Sequence, residues 1–235
     1  MSRMTKRGKK IAELVDRTRT YSVEQALDTL KKCPPVKFDE SVEVSLKLGI
    51  DPRKSDQSVR GTVSLPSGTG KKTIVVALAR ADKLSEAKQA GADFAGNDDL
   101  VAKIAGGWTD FDVLIVTPDL MRDVGKLGKV LGPRGLMPTP KAGTVTTEIG
   151  KAIRDVKQGK IEFKSDKEGG LNCAVGKVSF TLNQLVDNIR SLLSAVQRVK
   201  PQTAKGIYLQ SMYLSTTMGP GMKVDAREFE TTAKR

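Results

Sequence analysis

The chain has 235 residues, enough for one or two domains of ordinary size. A net charge of +13 with 38% hydrophobic residues points to a polyanionic partner, nucleic acid first among them. There is no histidine and there are only two, widely separated cysteines, Cys33 and Cys173. That argues against a disulfide framework, a zinc site and the usual general base of enzymes.

Residues 1–20 are polar and basic and read as an arm leading into a helix. A membrane-surface role would need bulky apolar anchors, and Arg3, Lys6, Arg7, Lys9 and Lys10 come without such a cluster. Tyr21–Lys32 reads as a helix capped by Ser22 and stopped by Pro34 and Pro35. Ser41–Leu48 alternates, with Val42, Val44, Leu46 and Leu48 on one side and Ser41, Glu43, Ser45 and Lys47 on the other; this is a strand with one wet face. Arg60–Leu65 follows as a second strand.

Thr73–Ala79 and Phe111–Thr117 are continuous apolar runs, as expected of strands buried on both faces. Between them lie a helical stretch at Lys83–Ala90, a short strand at Ala92–Ala95 and a helix at Asp98–Ala105, the rhythm of a small parallel α/β unit. After Gly159, amphipathic strands return at Lys160–Ser165 and Ala174–Phe180. Thr181–Val199 is a helix with Leu185, Ile189, Leu192, Leu193 and Val196 on one face, and a last strand lies near Gly206–Ser215.

The expected organisation is nested. An inserted, Rossmann-like α/β domain (67–159) interrupts a sheet-plus-helix domain built from 1–66 and 160–235, since neither outer segment has strands enough for a stable sheet alone. The outer segments carry +10 of the +13, so nucleic-acid contact is expected there. No run approaches the roughly 20 apolar residues of a membrane span, and no export signal is evident; a soluble, cytoplasmic protein without membrane contact is expected.

Gly68-Thr69-Gly70-Lys71 fails as a phosphate loop. Leu65 stands where the first glycine belongs and Lys72 where Ser or Thr belongs, and the stretch precedes a strand; it reads better as an interdomain hinge. The turn Arg80-Ala81-Asp82-Lys83 lacks the glycine a dinucleotide pyrophosphate needs. An enzyme with a small cofactor is therefore disfavoured, and no cofactor or metal is expected. Val124–Thr146 (VGKLGKVLGPRGLMPTPKAGTVT) combines glycines, prolines and basic residues. It reads either as a rigid loop close to RNA or as an ordinary ordered surface loop. Ser215–Gly221 (STTMGPG) offers hydroxyls and close backbone approach, or is a plain turn.

VGKLGKVLGPRGLMPTPKAGTVT closely resembles the signature of the large-subunit ribosomal protein one family, the bacterial L-one stalk proteins. KFDESVEVSLKLGIDPRKSDQSVRGTVSLPSGTGK (37–71), GKVSF (176–180), KPQTAKG (200–206) and STTMGPG (215–221) extend the resemblance along nearly the whole chain. It implies a two-domain protein, monomeric when free, that binds large-subunit ribosomal RNA in the large ribosomal subunit. It further implies a mobile stalk near the exit-site tRNA, help in tRNA release, and repression of its own operon messenger RNA. By position, the implied RNA contacts are Lys37, Phe38, Ser41, Lys164, Ser165, Asp166, Lys167, Ser211, Thr217, Met218 and Gly219. Lys126, Lys129, Gly132, Arg134, Gly135 and Lys141 are left as a second contact or an interdomain loop.

Overall fold

The computed structural model describes residues 5–16, 18–204 and 206–225. Its contacts divide the chain into two compact units, 1–70 with 162–235, and 71–161.

The first half of unit 1 holds α1 (Lys6–Leu14), α2 (Val23–Lys32), β1 (Ser41–Leu48) and β2 (Arg60–Ser64). The Thr5 hydroxyl caps α1 by accepting from Gly8, and Ser22 caps α2 by accepting from Gln25. The basic arm is thus a helix of its own, although it buries none of its residues. Unit 2 supplies β3 (Val75–Leu78), α3 (Ala81–Gln89), β4 (Phe94–Gly96), α4 (Asp98–Ala105), β5 (Val113–Val116), α5 (Met121–Lys126), α6 (Gly128–Leu131) and α7 (Ile149–Lys157). The chain returns through β6 (Lys160–Lys164) to β7 (Gly170–Lys177), α8 (Leu182–Arg198), β8 (Leu209–Thr216) and β9 (Met222–Val224).

In unit 1 the sheet order is β7-β1-β8-β9, antiparallel throughout, and β2 pairs separately with β6. Tyr21 extends the β9 edge: its N–H donates to Lys223 and its carbonyl accepts from Asp225. One face of the sheet is apolar, with Val42, Val44, Leu46, Leu48, Leu171, Val175, Met212, Leu214, Met222 and Val224 all buried. α2 and α8 pack over it. All five apolar residues expected on one face of α8 are buried, and a Thr181/Gln184 capping box starts that helix. Asn188 on α8 is also fully buried; it accepts from Ser67 N and donates to the carbonyls of Gly68 and Val175. Its buried polar atoms are therefore matched.

In unit 2 the order β4-β3-β5 is all parallel. Successive residues of β3 and β5 feed opposite cores. Val76, Leu78, Leu114 and Val116 meet Ile104, Val124, Leu127 and Leu131, while Val75, Ala77 and Ile115 meet Ile149, Ala152, Ile153 and Val156. Two-sided burial explains the unbroken apolar runs. Val124–Thr146 departs from the expected loop: its first third, as far as Leu131, lies in α5 and α6 and sends Val124, Leu127 and Leu131 into the core. α7 and β9 were also unexpected, as was the start of β7 at Gly170, four residues ahead of Ala174.

Candidate nucleic-acid interface

Among the described residues, the helices that pack on the unit 1 sheet, α2 and α8, lie on its apolar side, and the other face is left uncovered by them. Strand register sets its side chains in rows. Lys177 stands opposite Ser41; Ala174, Glu43 and Ser215 form the next row; Asn172, Ser45, Tyr213 and Lys223 the third; Gly170, Lys47 and Ser211 the fourth. From Ser41 to Lys47 the face runs about 20 Å, at about 3.3 Å per residue.

Six of the expected contact residues collect at one end. Lys37 and Phe38 lie in the segment entering β1, with Phe38 54% exposed. Thr217, Met218 and Gly219 form the turn leaving β8, with Met218 56% exposed. The two segments are joined through Ser41: its N–H donates to the Thr217 hydroxyl (3.0 Å), and its carbonyl accepts from Thr217 N (3.1 Å). The Ser41 hydroxyl accepts from the Lys177 ammonium at 2.8 Å. A side chain at Gly219 would place its Cβ 2.2 Å from the Thr216 hydroxyl oxygen, so any larger residue there would force that hydroxyl to move. After Ile207, Met218 and Phe38 are the most exposed large apolar side chains of the described residues, and both lie on these two joined segments.

The remaining expected contacts gather at the far end. Ser211 sits on β8 opposite Lys47, and Lys47 donates to the carbonyl of Glu168. Lys164 and Lys167 are exposed. Ser165, in contrast, is buried, and its hydroxyl accepts from Val59 N at 3.1 Å. Asp166 caps its own turn, accepting from Glu168 N (2.8 Å) and Gly170 N (2.7 Å). Those two donors hold its carboxyl below the ordinary carboxylate value. Ser165 and Asp166 thus shape the turn that presents Lys167, the Ser165 hydroxyl by holding Val59 N and the Asp166 carboxylate by accepting both turn N–H groups on its Oδ1.

The residues set aside for a second contact all lie in unit 2. Lys126 pairs with Asp123 at 2.8 Å, Arg134 donates to the Thr109 hydroxyl, and Lys129 and Lys141 are exposed. Gly135 has φ +70°, and a Cβ at Gly132 would lie 2.6 Å from the Gly128 carbonyl oxygen. These two glycines answer to local backbone geometry. Among the described residues no cluster of His, Cys, Asp and Glu could hold a metal ion, and no helix is long and apolar enough to cross a membrane.

Residues 30–220 match the Ribosomal protein L1p/L10e family. The chain is 62% identical to the large ribosomal subunit protein uL1 of Protochlamydia amoebophila, over 100% of this chain and 99% of that one. It is 58% identical to the protein of the same name from Chlamydia caviae, over 96% and 98%, and 52% identical to that of Kosmotoga olearia, over 94% and 97%. The chain belongs to this family. It is a ribosomal protein of α/β fold, a structural component with no enzymatic role.

One member of the exposed end could not be found from the sequence. Arg7, read there as diffuse charge on the arm, reaches from α1 to both edge segments. Its guanidinium donates to the carbonyls of Pro34 (3.3 Å) and Met218 (3.0 Å) and to the buried Glu40 carboxylate (3.3 Å). Asp39 adds a second tie, accepting from the N–H and hydroxyl of Ser179. These partners lie 27 to 211 residues from Arg7 in sequence, so no local pattern signals them.

Proposed function

We propose that this protein is a constituent of the large ribosomal subunit that binds large-subunit ribosomal RNA through the open face and edges of the unit 1 sheet. The observation that carries the reading is the end where Lys37, Phe38, Met218 and Gly219 meet around the Ser41–Thr217 pair. Exposed apolar side chains beside the exposed Lys37 suit an RNA whose backbone is bound by charge and whose riboses or bases are met at close range. On this reading residues 1–66 with 160–235 form the RNA-binding domain, and 67–159 is the inserted domain. A chain joining the two outer segments by a short linker then folds and binds RNA; an unfolded product would defeat it.

The finer reading is that the bound protein forms the mobile stalk near the exit-site tRNA, assists tRNA release, and represses translation by holding its own operon messenger RNA on the same surface. Its place is then cytoplasmic, on the ribosome. The test is gradient sedimentation followed by competition. Most of the protein should travel with the large subunit, and a transcript of the operon leader should compete with a ribosomal RNA transcript for one site. Simultaneous binding of both RNAs would remove the shared-surface repressor role, and a protein absent from the large-subunit fraction would remove the ribosomal one.

A further inference from the structure

Between the two ends of the open face lies a row to which the resemblance assigns nothing: Asn172, Ser45, Tyr213 and Lys223. Three tyrosines occur in the chain, and the structure treats one differently. The Tyr21 hydroxyl exchanges hydrogen bonds with Asp16, and Arg19 sits over its ring. Tyr208 is buried, its hydroxyl donates to the Val196 carbonyl, and Lys200 covers its ring. Tyr213 is 42% exposed, and among the described residues its hydroxyl has no partner and its ring meets no other ring or cation.

Strand propensity favours tyrosine on such a surface. The surroundings are more particular. Opposite Tyr213 stand Ser45 on one side and Lys223 on the other, and along β8 its same-face neighbours are Ser211 and Ser215. Directly opposed side chains lie about 5 Å apart and diagonal ones about 7–8 Å. The ring is thus flanked by small hydroxyls that leave a π-face open. Lys223 is directly opposite it, and Lys47 lies one row away on the diagonal. An open aromatic face on a sheet, with small polar neighbours and cations at the margins, suits a stacked nucleobase whose phosphates lie at the lysines.

We propose that Tyr213 is a stacking platform for one unpaired nucleobase of the bound RNA, placed midway between the Phe38–Met218 end and the Ser211–Lys167 end. The proposal rests on the reading that this face binds RNA. Glu43, one row away on the same face, repels phosphate, which leaves the lysine side of the row for the RNA backbone.

The test uses the full chain and a transcript of large-subunit ribosomal RNA. Tyr213→Leu keeps apolar bulk and loses the π-face; its affinity should fall roughly 5- to 150-fold. Tyr213→Phe should bind nearly as the unsubstituted protein. The dependence of affinity on salt should keep its slope in both, because a stacking contact releases no counterion. Tyr213→Trp gives a second readout that does not depend on the Leu variant folding: the new indole's emission should be quenched by the transcript. Undiminished affinity in Tyr213→Leu, or an unquenched indole, would overturn the platform while leaving the RNA face intact. Failure of the unsubstituted protein to bind the transcript would instead overturn the RNA-binding reading itself.

Discussion

The sheets of the two units draw on the same residues, valine and leucine above all, yet among the described residues the four-stranded sheet of unit 1 is covered by helices on one side and the sheet of unit 2 on both. In unit 2, β3 and β5 are buried on both faces, between α3 and α7 on one side and α4, α5 and α6 on the other. In unit 1, β1 and β8 bury alternate residues under α2 and α8 and turn the rest outward. A sheet covered on both sides has spent its faces on stability. A sheet covered on one side keeps a stiff, register-defined surface on which side chains from four strands can be placed within a few ångströms of one another.

Substitutions inside and outside these layers measure the contrast directly. The largest effect is expected at Ile115, fully buried on β5. Ile115→Ala should cost about 2–5 kcal/mol of unfolding free energy, from lost burial and the cavity left behind. Ser45→Ala, on the open face, should stay within about 0.5 kcal/mol. Chemical denaturation of the full chain reads both. Equal costs would mean that the open face is packed in solution.

The far end of the face holds a second contrast, between Ser165 and Lys167. Ser165→Ala leaves the N–H of buried Val59 without its acceptor, which should cost about 1–3 kcal/mol of stability. RNA affinity of the folded variant should hardly change, because the hydroxyl faces the protein. A selective loss of affinity with stability intact would return Ser165 to the contact surface.

Arg7 tests whether the two edge segments are held from behind. Arg7→Met strands the buried Glu40 carboxylate and releases the carbonyls of Pro34 and Met218. Because Arg7 itself is partly exposed, a loss of about 1–2 kcal/mol is expected. Adding Glu40→Gln should recover part of that stability. RNA affinity should remain reduced in the double variant, because the Met218 turn is still untied. Full recovery of affinity would limit Arg7 to neutralising Glu40.

The fold was legible where burial leaves a period in the sequence. Alternation in Ser41–Leu48, the unbroken runs at Thr73–Ala79 and Phe111–Thr117, and the apolar face of Thr181–Val199 each correspond to an observed element. β9 is only three residues long and too short to show a period. In Val124–Thr146 the glycines masked two short helices that tertiary packing supports. The candidate site was legible as a set of segments, but the division of labour within them was not. Hydroxyls at 41, 165, 211 and 217 look alike in sequence. Only strand pairing shows that Ser165 points inward, that Thr217 and Ser41 hold each other, and that Ser211 stands on the open face.

Thr217 therefore has two uses to separate. Thr217→Val removes the acceptor of Ser41 N–H at an exposed strand end, where water can substitute, so stability should fall by only about 0.5–1.5 kcal/mol. A loss of RNA affinity clearly larger than that would show the hydroxyl also meeting the RNA. A matching loss would assign it to the turn alone.

The smallest effects concern single charges, and they compare the two units once more. Lys37 and Lys167 are exposed at opposite ends of the open face, on the segments that carry +10 of the net +13. Each lysine that neutralises a phosphate releases condensed counterions, so its removal lowers the salt dependence of binding. Lys37→Ala and Lys167→Ala should each reduce the slope of log affinity against log salt by about one contact or less, weakening binding to all RNA sequences alike. Lys126 is the control: it lies in unit 2 and its ammonium pairs with Asp123 at 2.8 Å. Lys126→Ala should leave the slope for the isolated ribosomal RNA transcript unchanged. If Lys126 flattened the slope as much as Lys37 does, the RNA would have to reach unit 2 as well, and the open face of unit 1 would not be the whole of the binding surface.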